Sequence, residues 1–183
     1  MTASPSSPGS ASDSGDSLHQ AQIRTDWSGH WIWPSNVDAD RNVYALFRRV
    51  FRTTRAEKLT IHITADNFYW LYLDGEFIHR GPVRSFPEYF SFDTFDLNVD
   101  AGEHCLAVMV HHVGEINATM VTGRPGFLAD VYAGDEDLST GDGWKCMVSD
   151  AWRKDLPVLM SHFGFWEECD LRRIPKGWQD TGF

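Results

Sequence analysis

The chain of 183 residues carries a formal net charge of −10 at pH 7, and 42% of its residues are hydrophobic. That hydrophobic fraction is enough for a core without disulfide bonds. The negative charge, without any run of Lys or Arg, excludes nucleic acid as an expected partner. No apolar run approaches the ~18 residues of a membrane-spanning helix, so no membrane association is expected either.

The cysteines and the N-terminus both bear on the compartment. Cys105, Cys146 and Cys169 are odd in number and far apart in the sequence. This pattern favours reduced thiols over a disulfide scaffold. The N-terminus lacks a basic start followed by an apolar stretch, so no secretory signal peptide is visible. These observations predict a cytoplasmic protein.

Composition divides the chain into three parts. Residues 1–26 are rich in Ser and poor in apolar side chains, which predicts a disordered leader. Residues 27–151 consist of short segments with strand-like patterns and are predicted to form one β-domain. Residues 152–183 are less regular and end without a helix cap or closing strand. We interpret them as a C-terminal extension, the truncated start of a further module, and the chain as a fragment.

Alternating hydrophobicity indicates the strands of the middle part. In Leu59–Thr64, every second residue is a large aliphatic one, which is typical of a half-buried strand. Asp74-Gly75 lies between two strand-like runs and predicts a tight hairpin, because Gly accepts the positive φ of the turn. The remaining predicted strands are Phe68–Leu73, Glu76–Ile78, Tyr44–Arg52, Tyr89–Leu97, His104–His111, Gly126–Tyr132 and Trp144–Ser149. Seven or eight short strands without a helical period predict an all-β antiparallel sandwich or jelly roll.

Catalytic motifs are missing from the sequence. There is no G-x-S-x-G elbow, no P-loop and no H-E-x-x-H pair. A glycosidase needs two carboxylates facing each other across a bond, roughly 5 to 9 Å apart. Asp93 with Asp96, or Glu167 with Glu168, are possible pairs, but the sequence gives no sign that either pair faces a common space. We therefore predict a domain without catalytic residues.

The adjacent His111 and His112 raise the question of a metal site. If both lie in a strand, their side chains point to opposite faces of the sheet, so they cannot share one ion. The alternation predicts one buried and one exposed histidine. No Cys or His pair has the spacing of a zinc site.

A more informative pair is Asp66-Asn67, which lies where one predicted strand ends and the next begins. Adjacent carboxylate and amide oxygens suit Ca²⁺ or the hydroxyl groups of a sugar. The alternative is an Asx turn that satisfies only local backbone groups, and the spacing alone favours that alternative.

Several segments together resemble the N-terminal sandwich modules of family 78 α-L-rhamnosidases. Ala65–Gly75 resembles the family's Ala-Asp-Asn/Asp-x-Tyr motif, which runs into an Asn/Asp-Gly turn. Arg80–Pro82, Phe90–Leu97, Gly102–Val108 and Arg124–Ala129 resemble the segments that follow it, in the same order. The match covers residues 31–178, and the family's helical barrel with the hydrolytic carboxylates is absent from it. The resemblance implies a galactose-binding-like β-sandwich of the jelly-roll type.

The resemblance also implies a binding site. Some family members bind terminal L-rhamnose through a Ca²⁺ ion near the Asp-Asn pair. By position, the metal ligands here would be the side chains of Asp66 and Asn67 and the carbonyls of Phe90 and Pro125. The sugar would contact Asp66, Asn67 and Phe90. Arg84, which lies on the Gly81–Pro87 loop, is a further candidate as a donor to a sugar hydroxyl, and an ordinary solvated arginine is the alternative. Phe90 stands where the family usually has Trp, which weakens the expected stacking on the sugar.

Three functions follow from these observations. The first is a non-catalytic module that binds L-rhamnose or a similar sugar, with Ca²⁺ as its cofactor. The second is a structural sandwich that packs against a glycosidase catalytic domain and binds no sugar itself. In the third, the parent protein hydrolyses α-L-rhamnosides, and this chain is its non-catalytic start.

Overall fold

The computed structural model describes residues 24–35, 37, 41–121, 123–162 and 164–183. Positions 1–23 of the predicted leader, residues 1–26, lie outside the described residues. The strands are β1 (Val43–Thr53), β2 (Glu57–Ala65), β3 (Phe68–Leu73), β4 (Glu76–Gly81), β5 (Asp93–Val99), β6 (Gly102–His112), β7 (Phe127–Ala133), β8 (Glu136–Asp137), β9 (Lys145–Val148), β10 (Val158–Met160) and β11 (Gly164–Phe165).

Two antiparallel sheets contain nine of these strands. One sheet has the order β4-β3-β6-β1-β9 and the other the order β5-β2-β7-β8. β10 and β11 form a separate small hairpin. The prediction of an all-β antiparallel sandwich is therefore confirmed.

The core lies between the two sheets and follows the sequence alternation. Leu59, Ile61 and Ile63 of β2 are at most 1% exposed. They face aromatic and aliphatic side chains of the opposite sheet, including Phe47 of β1 and Val108 of β6. The period of two thus places one face of each strand in the core and the other outside.

The hairpin between β3 and β4 has the predicted turn. Asp74 and Gly75 both have positive φ, 50° and 82°, which is the requirement of a type I′ turn. Asp74 is fixed there because its carboxylate accepts a hydrogen bond from the backbone N–H of Cys105 at 2.7 Å. Leu73 pairs with Glu76 across the turn, so the loop has two residues as predicted.

One strand begins later than predicted. The run Tyr89–Leu97 was expected to be extended throughout, but β5 begins at Asp93, and residues 82–92 form a loop. In this loop the backbone N–H of Tyr89 donates to the carbonyl of Phe86 at 2.9 Å, which closes a turn. The turn accounts for the late start of the strand, and Tyr89 lies 67% exposed on the loop.

The segment from Ala151 to the end of the chain packs on the outer face of the five-stranded sheet. Trp152 contacts Tyr44 of β1, and Trp178 lies in a cluster with Leu46 and Cys105. This cover explains why β1 is buried on both faces over most of its length. The only helix among the described residues, Leu171–Arg173, has three residues, far too few to cross a membrane.

Candidate functional site

Strand pairing brings four loops to one end of the sandwich. β2 ends at Ala65 opposite Phe127, where β7 begins, and β3 begins at Phe68 opposite His111, near the end of β6. The connections at residues 66–67, 82–92 and 113–126, and the arm that precedes β1, therefore meet at this end. Loops on a rigid sheet scaffold are where binding residues concentrate, so a site is expected at this end.

A groove of about 960 Å³ lies between the arm and the loop before β5. Its walls are largely aromatic. The Phe90 ring meets Trp31 edge-on at 5.7 Å and lies 6.1 Å from Trp27, whose ring meets Phe92 edge-on at 5.5 Å. Such edge-to-face pairs hold the rings of the groove in fixed orientations.

Polar groups of both signs line the same groove. Arg124 and Glu88 are exposed and reach it from two different loops, and His30 joins them from the arm. Arg124 makes no ion pair with any of the described residues, so its guanidinium is available to a ligand. The groove thus offers aromatic faces, a hydrogen-bond donor and an acceptor together.

The arm that carries Trp27 and Trp31 is anchored by a buried carboxylate. Asp130 of β7 is fully buried, and it accepts a hydrogen bond from the backbone N–H of Gly29 at 2.8 Å. Its other oxygen forms an ion pair with Arg24, whose guanidinium also lies 4.8 Å from the Trp27 ring. These contacts hold the described part of the arm on the sandwich, and they fix one wall of the groove.

At its inner end the groove adjoins a recess of about 100 Å³, which Asp66 lines together with Phe90. The Asp66 side chain is 3% exposed, and its Oδ2 is hydrogen-bonded to Nδ1 of His112 at 2.6 Å. Its Oδ1 approaches Gly123 so closely that a Cβ there would lie 2.3 Å away. Gly123 therefore leaves the space that this carboxylate occupies.

The other predicted site residues lie beside this recess rather than in it. Asn67 is 7% exposed, and its Oδ1 accepts a hydrogen bond from the backbone N–H of Val113 at 2.7 Å. Asn67 and Arg84 line a shallow neighbouring recess of about 30 Å³, which Asp66 also borders. Of the predicted sugar contacts, Asp66 and Phe90 share one recess, and Asp66, Asn67 and Arg84 share the next.

The four predicted calcium ligands share recesses only in part. Asp66 lines one recess with Phe90 and the next with Asn67, whose amide oxygen accepts from the Val113 N–H, and Pro125 lines neither. Ca²⁺ takes six to eight oxygen ligands. Among the described residues, no three His, Cys, Asp or Glu side chains are placed to hold a metal ion. Calcium binding by the predicted set therefore stays a prediction of the resemblance.

His111 and His112 lie on opposite faces of β6, as the alternation predicts. His112 is 1% exposed and faces Asp66, whereas His111 stacks on Tyr44 of the outer face, with ring centroids 3.9 Å apart. Because the C-terminal segment covers that face, His111 is half-buried rather than exposed. Burial, helped by the nearby charges of His112 and Arg80, lowers the pKa of His111 to about 3.

This low pKa predicts acid sensitivity. The unfolded chain takes up a proton at His111 near pH 6.5 and the folded chain only near pH 3, so the free energy of unfolding falls as the pH drops between these values. We expect His111 to account for a loss of about 2 kcal/mol between about pH 7.5 and about pH 4.5. Urea titrations of wild type, His111→Gln and the exposed control His162→Gln would measure it. Equal losses in all three proteins would contradict the prediction.

The carboxylate pairs considered for catalysis are separated in the structure. Asp93 accepts a hydrogen bond from the Tyr69 hydroxyl, whereas Asp96 accepts one from the Thr60 hydroxyl at 2.9 Å on the exposed side of β5. Glu167 accepts from the indole N–H of Trp152, and Glu168 pairs with Arg153. Each of these four carboxylates is engaged by a different partner.

Sequence reasoning missed the residues that build the groove on the arm side. Trp27 and Trp31 were assigned only to the start of the sandwich, and Arg24 to the leader. Trp31 and Trp33 are two residues apart and would share one face of a regular strand. In the structure Trp33 packs on the core and Trp31 lines the groove, because this segment forms only an isolated bridge at Ile32. Alternation therefore gave no signal for the groove.

The sequence matches no protein-family model and no curated protein. Among solved structures, the chain is similar to a family 78 rhamnosidase of Bacillus sp. GL1, with 31% identity and a TM-score of 0.77, covering 86% of this chain and 17% of that one. An α-L-rhamnosidase of Aspergillus terreus has 21% identity and a TM-score of 0.59, covering 84% of this chain and 19% of that one. The α-L-rhamnosidase of Streptomyces avermitilis, complexed with L-rhamnose, has 22% identity and a TM-score of 0.50, covering 86% of this chain and 13% of that one.

The similarities to the Aspergillus and Streptomyces enzymes support only a shared fold, because the sequence identities are 21% and 22%. The chain spans less than a fifth of the length of each of the three enzymes, and its described residues contain a β-sandwich but no helical barrel. With nearly a third of its residues identical to those of the Bacillus enzyme over most of its own length, the chain resembles a single domain of a family 78 α-L-rhamnosidase.

Proposed function

We propose that this domain binds a rhamnose-type sugar in the aromatic groove, without catalysing its hydrolysis, as an accessory module of an α-L-rhamnosidase-like protein. The observation that carries the proposal is the groove itself, which is lined by Trp31, Phe90 and Arg124, the last of which forms no ion pair with a described residue. A sugar ring presents C–H groups to aromatic side chains, while its hydroxyl groups need fixed polar partners. Both kinds of partner are present in this groove.

L-rhamnose is the first sugar to test, because the Streptomyces avermitilis enzyme that shares the fold forms a complex with it. The methyl group of this deoxy sugar adds apolar surface, which suits the rings of the groove. Asp66, at the inner end, supplies a carboxylate oxygen that can accept from a hydroxyl group. Calcium held by Asp66, Asn67, Phe90 and Pro125 stays a prediction of the resemblance, and a chelator tests it.

The test is calorimetric titration with L-rhamnose in the presence and absence of a chelator. We expect Phe90→Ala and Arg124→Met each to weaken binding roughly tenfold, which corresponds to about 1.4 kcal/mol of binding free energy. Phe77→Ala and Arg52→Met are the matched controls, because both side chains are exposed and lie outside the groove. Equal affinities in all four variants would overturn the site. Heat that disappears with chelator would support the metal, and heat that persists would contradict it.

A structural role is the second candidate, and one surface favours it. The C-terminal extension exposes several apolar side chains on the β10 segment and after it, at 41% or more of their surface: Val158, Leu159, Met160, Trp166 and Leu171. Clusters of this kind mark interaction surfaces, and a glycosidase catalytic domain of the parent protein would be the partner. The absence of binding to any sugar, with wild-type stability retained, would favour this role over the first.

A further inference from the structure

A second cleft of about 430 Å³ lies on the outer face of the five-stranded sheet. Its floor is formed by side chains from three neighbouring strands, namely Tyr44 of β1, Trp70 of β3 and His111 of β6. The C-terminal segment forms the opposite wall, where Trp166 is 54% exposed. Neither the proposed sugar groove nor its recess includes any of these residues.

The floor of this cleft is a fixed aromatic surface. The Tyr44 ring is stacked on His111 at 3.9 Å with an interplanar angle of 7°, and on Trp152 at 4.3 Å with an angle of 12°. Trp70 lies 6.3 Å from Tyr44. Because the pKa of His111 is lowered far below neutrality, this stack carries no charge at physiological pH.

Two polar groups at the cleft complement that surface. The Arg80 guanidinium lies 4.5 Å from the centroid of Phe68 and 5.1 Å from that of Trp70, and no carboxylate of the described residues pairs with it. Glu167 lines the same cleft, where its Oε1 accepts from the indole N–H of Trp152 at 3.1 Å. A guanidinium, a carboxylate and aromatic faces together suit a neutral polyhydroxylated ring, which needs donors and acceptors at once.

A series of smaller depressions with shared lining residues lies between the sugar groove and the cleft. The groove shares Trp31, Phe90 and Arg124 with the recess of Asp66. That recess shares Asp66, Ser85 and Val121 with the shallow one beside Asn67. The shallow recess in turn shares Phe68 and Met120 with the outer-face cleft. Neighbouring depressions therefore share walls in a series that runs along the loops before β5 and β7.

We propose that the outer-face cleft is a second sugar subsite and that the domain takes an oligosaccharide, with one end in the groove and a further ring in the cleft. This inference rests on the proposed function, because the groove is its first subsite. Two weak subsites on one ligand bind cooperatively through effective concentration, so a longer sugar gains affinity without any new kind of contact.

The experiment compares L-rhamnose with a tetrasaccharide of α-linked L-rhamnose on the full chain by calorimetry. We expect the tetrasaccharide to bind at least roughly tenfold more tightly than the monosaccharide. Trp166→Ala and Arg80→Met should remove this gain and leave the affinity for L-rhamnose unchanged. Leu171→Ala, also on the exposed side of the C-terminal segment, and Arg52→Met are the matched controls and should keep the gain.

The outcomes separate the two proposals. Binding of L-rhamnose with no gain for the tetrasaccharide overturns the second subsite and leaves the proposed function in place. A gain that survives both Trp166→Ala and Arg80→Met also overturns it, since the extra contacts then lie elsewhere. No heat from either ligand overturns both proposals together.

Discussion

Replacing Asp130 with alanine is expected to lower the free energy of unfolding by about 3 kcal/mol, because the half-buried Arg24 loses its nearer counter-charge and the buried Gly29 N–H loses its acceptor. Asp130 is fully buried on β7, where it accepts a hydrogen bond from the backbone N–H of Gly29 and forms an ion pair with Arg24. The Arg24 side chain is only 18% exposed, so water replaces the lost carboxylate poorly. This makes the pair more costly to break than an ion pair on the surface.

The same substitution should also weaken sugar binding. Gly29 and Arg24 lie in the arm that places Trp27 and Trp31 in the groove, and Arg24 lies against the Trp27 ring. Without its anchor the arm gains conformational freedom, which binding must then remove. We expect a loss of roughly tenfold in affinity at a temperature where the variant is still folded.

Urea unfolding and calorimetric titration of the same preparations measure the two effects. Asp135→Ala is the matched control, because Asp135 is an exposed carboxylate in the turn after β7. Asp130→Asn keeps an acceptor for the Gly29 N–H and removes only the charge, so its loss of stability should lie between those of the other two. A loss under 1 kcal/mol for Asp130→Ala would contradict the buried-anchor argument.

The fold could be predicted where the pattern is local. The alternation of Leu59, Ile61 and Ile63 reports a property of a single strand, and the turn at Asp74 and Gly75 depends on two adjacent residues. The start of β5 could not be predicted in this way. Residues before Asp93 have the composition of a strand, but they find no partner strand and close a turn instead. Where such a strand begins depends on pairing with a segment far away in the sequence. A short stretch of sequence does not contain that information.

In the candidate site, too, local features could be predicted from the sequence and long-range contacts could not. The sequence predicted that Asp66 lies at a strand junction at the end of the sandwich, and the structure places it there. It did not show that the oxygens of Asp66 and Asn67 are engaged by His112 and Val113, each 46 residues further along the chain. Nor did the sequence predict that Arg24 pairs with Asp130, which is 106 residues away. These contacts decide which oxygens a ligand can reach.

Asp66→Ala should cost about 3 kcal/mol of stability, because it removes the acceptor of a buried imidazole. Oδ2 of Asp66 lies 2.6 Å from Nδ1 of His112, and the two side chains are 3% and 2% exposed. The Trp33 ring packs on the same imidazole with a centroid distance of 6.0 Å. His112 is 1% exposed in the intact protein, so its ring nitrogen depends on Asp66 as a partner.

This cost affects every use of Asp66 as a test of ligand binding. A loss of sugar or metal affinity in Asp66→Ala could come from a rearranged junction rather than a lost ligand. Asp66→Asn separates the two, because the amide oxygen can still accept from His112, and we expect it to cost no more than about 1 kcal/mol. Thermal unfolding and calorimetry on both variants give the comparison. If Asp66→Asn keeps its stability and loses sugar binding, the carboxylate contacts the sugar or its cation. If it keeps both, Asp66 serves the fold through His112 alone.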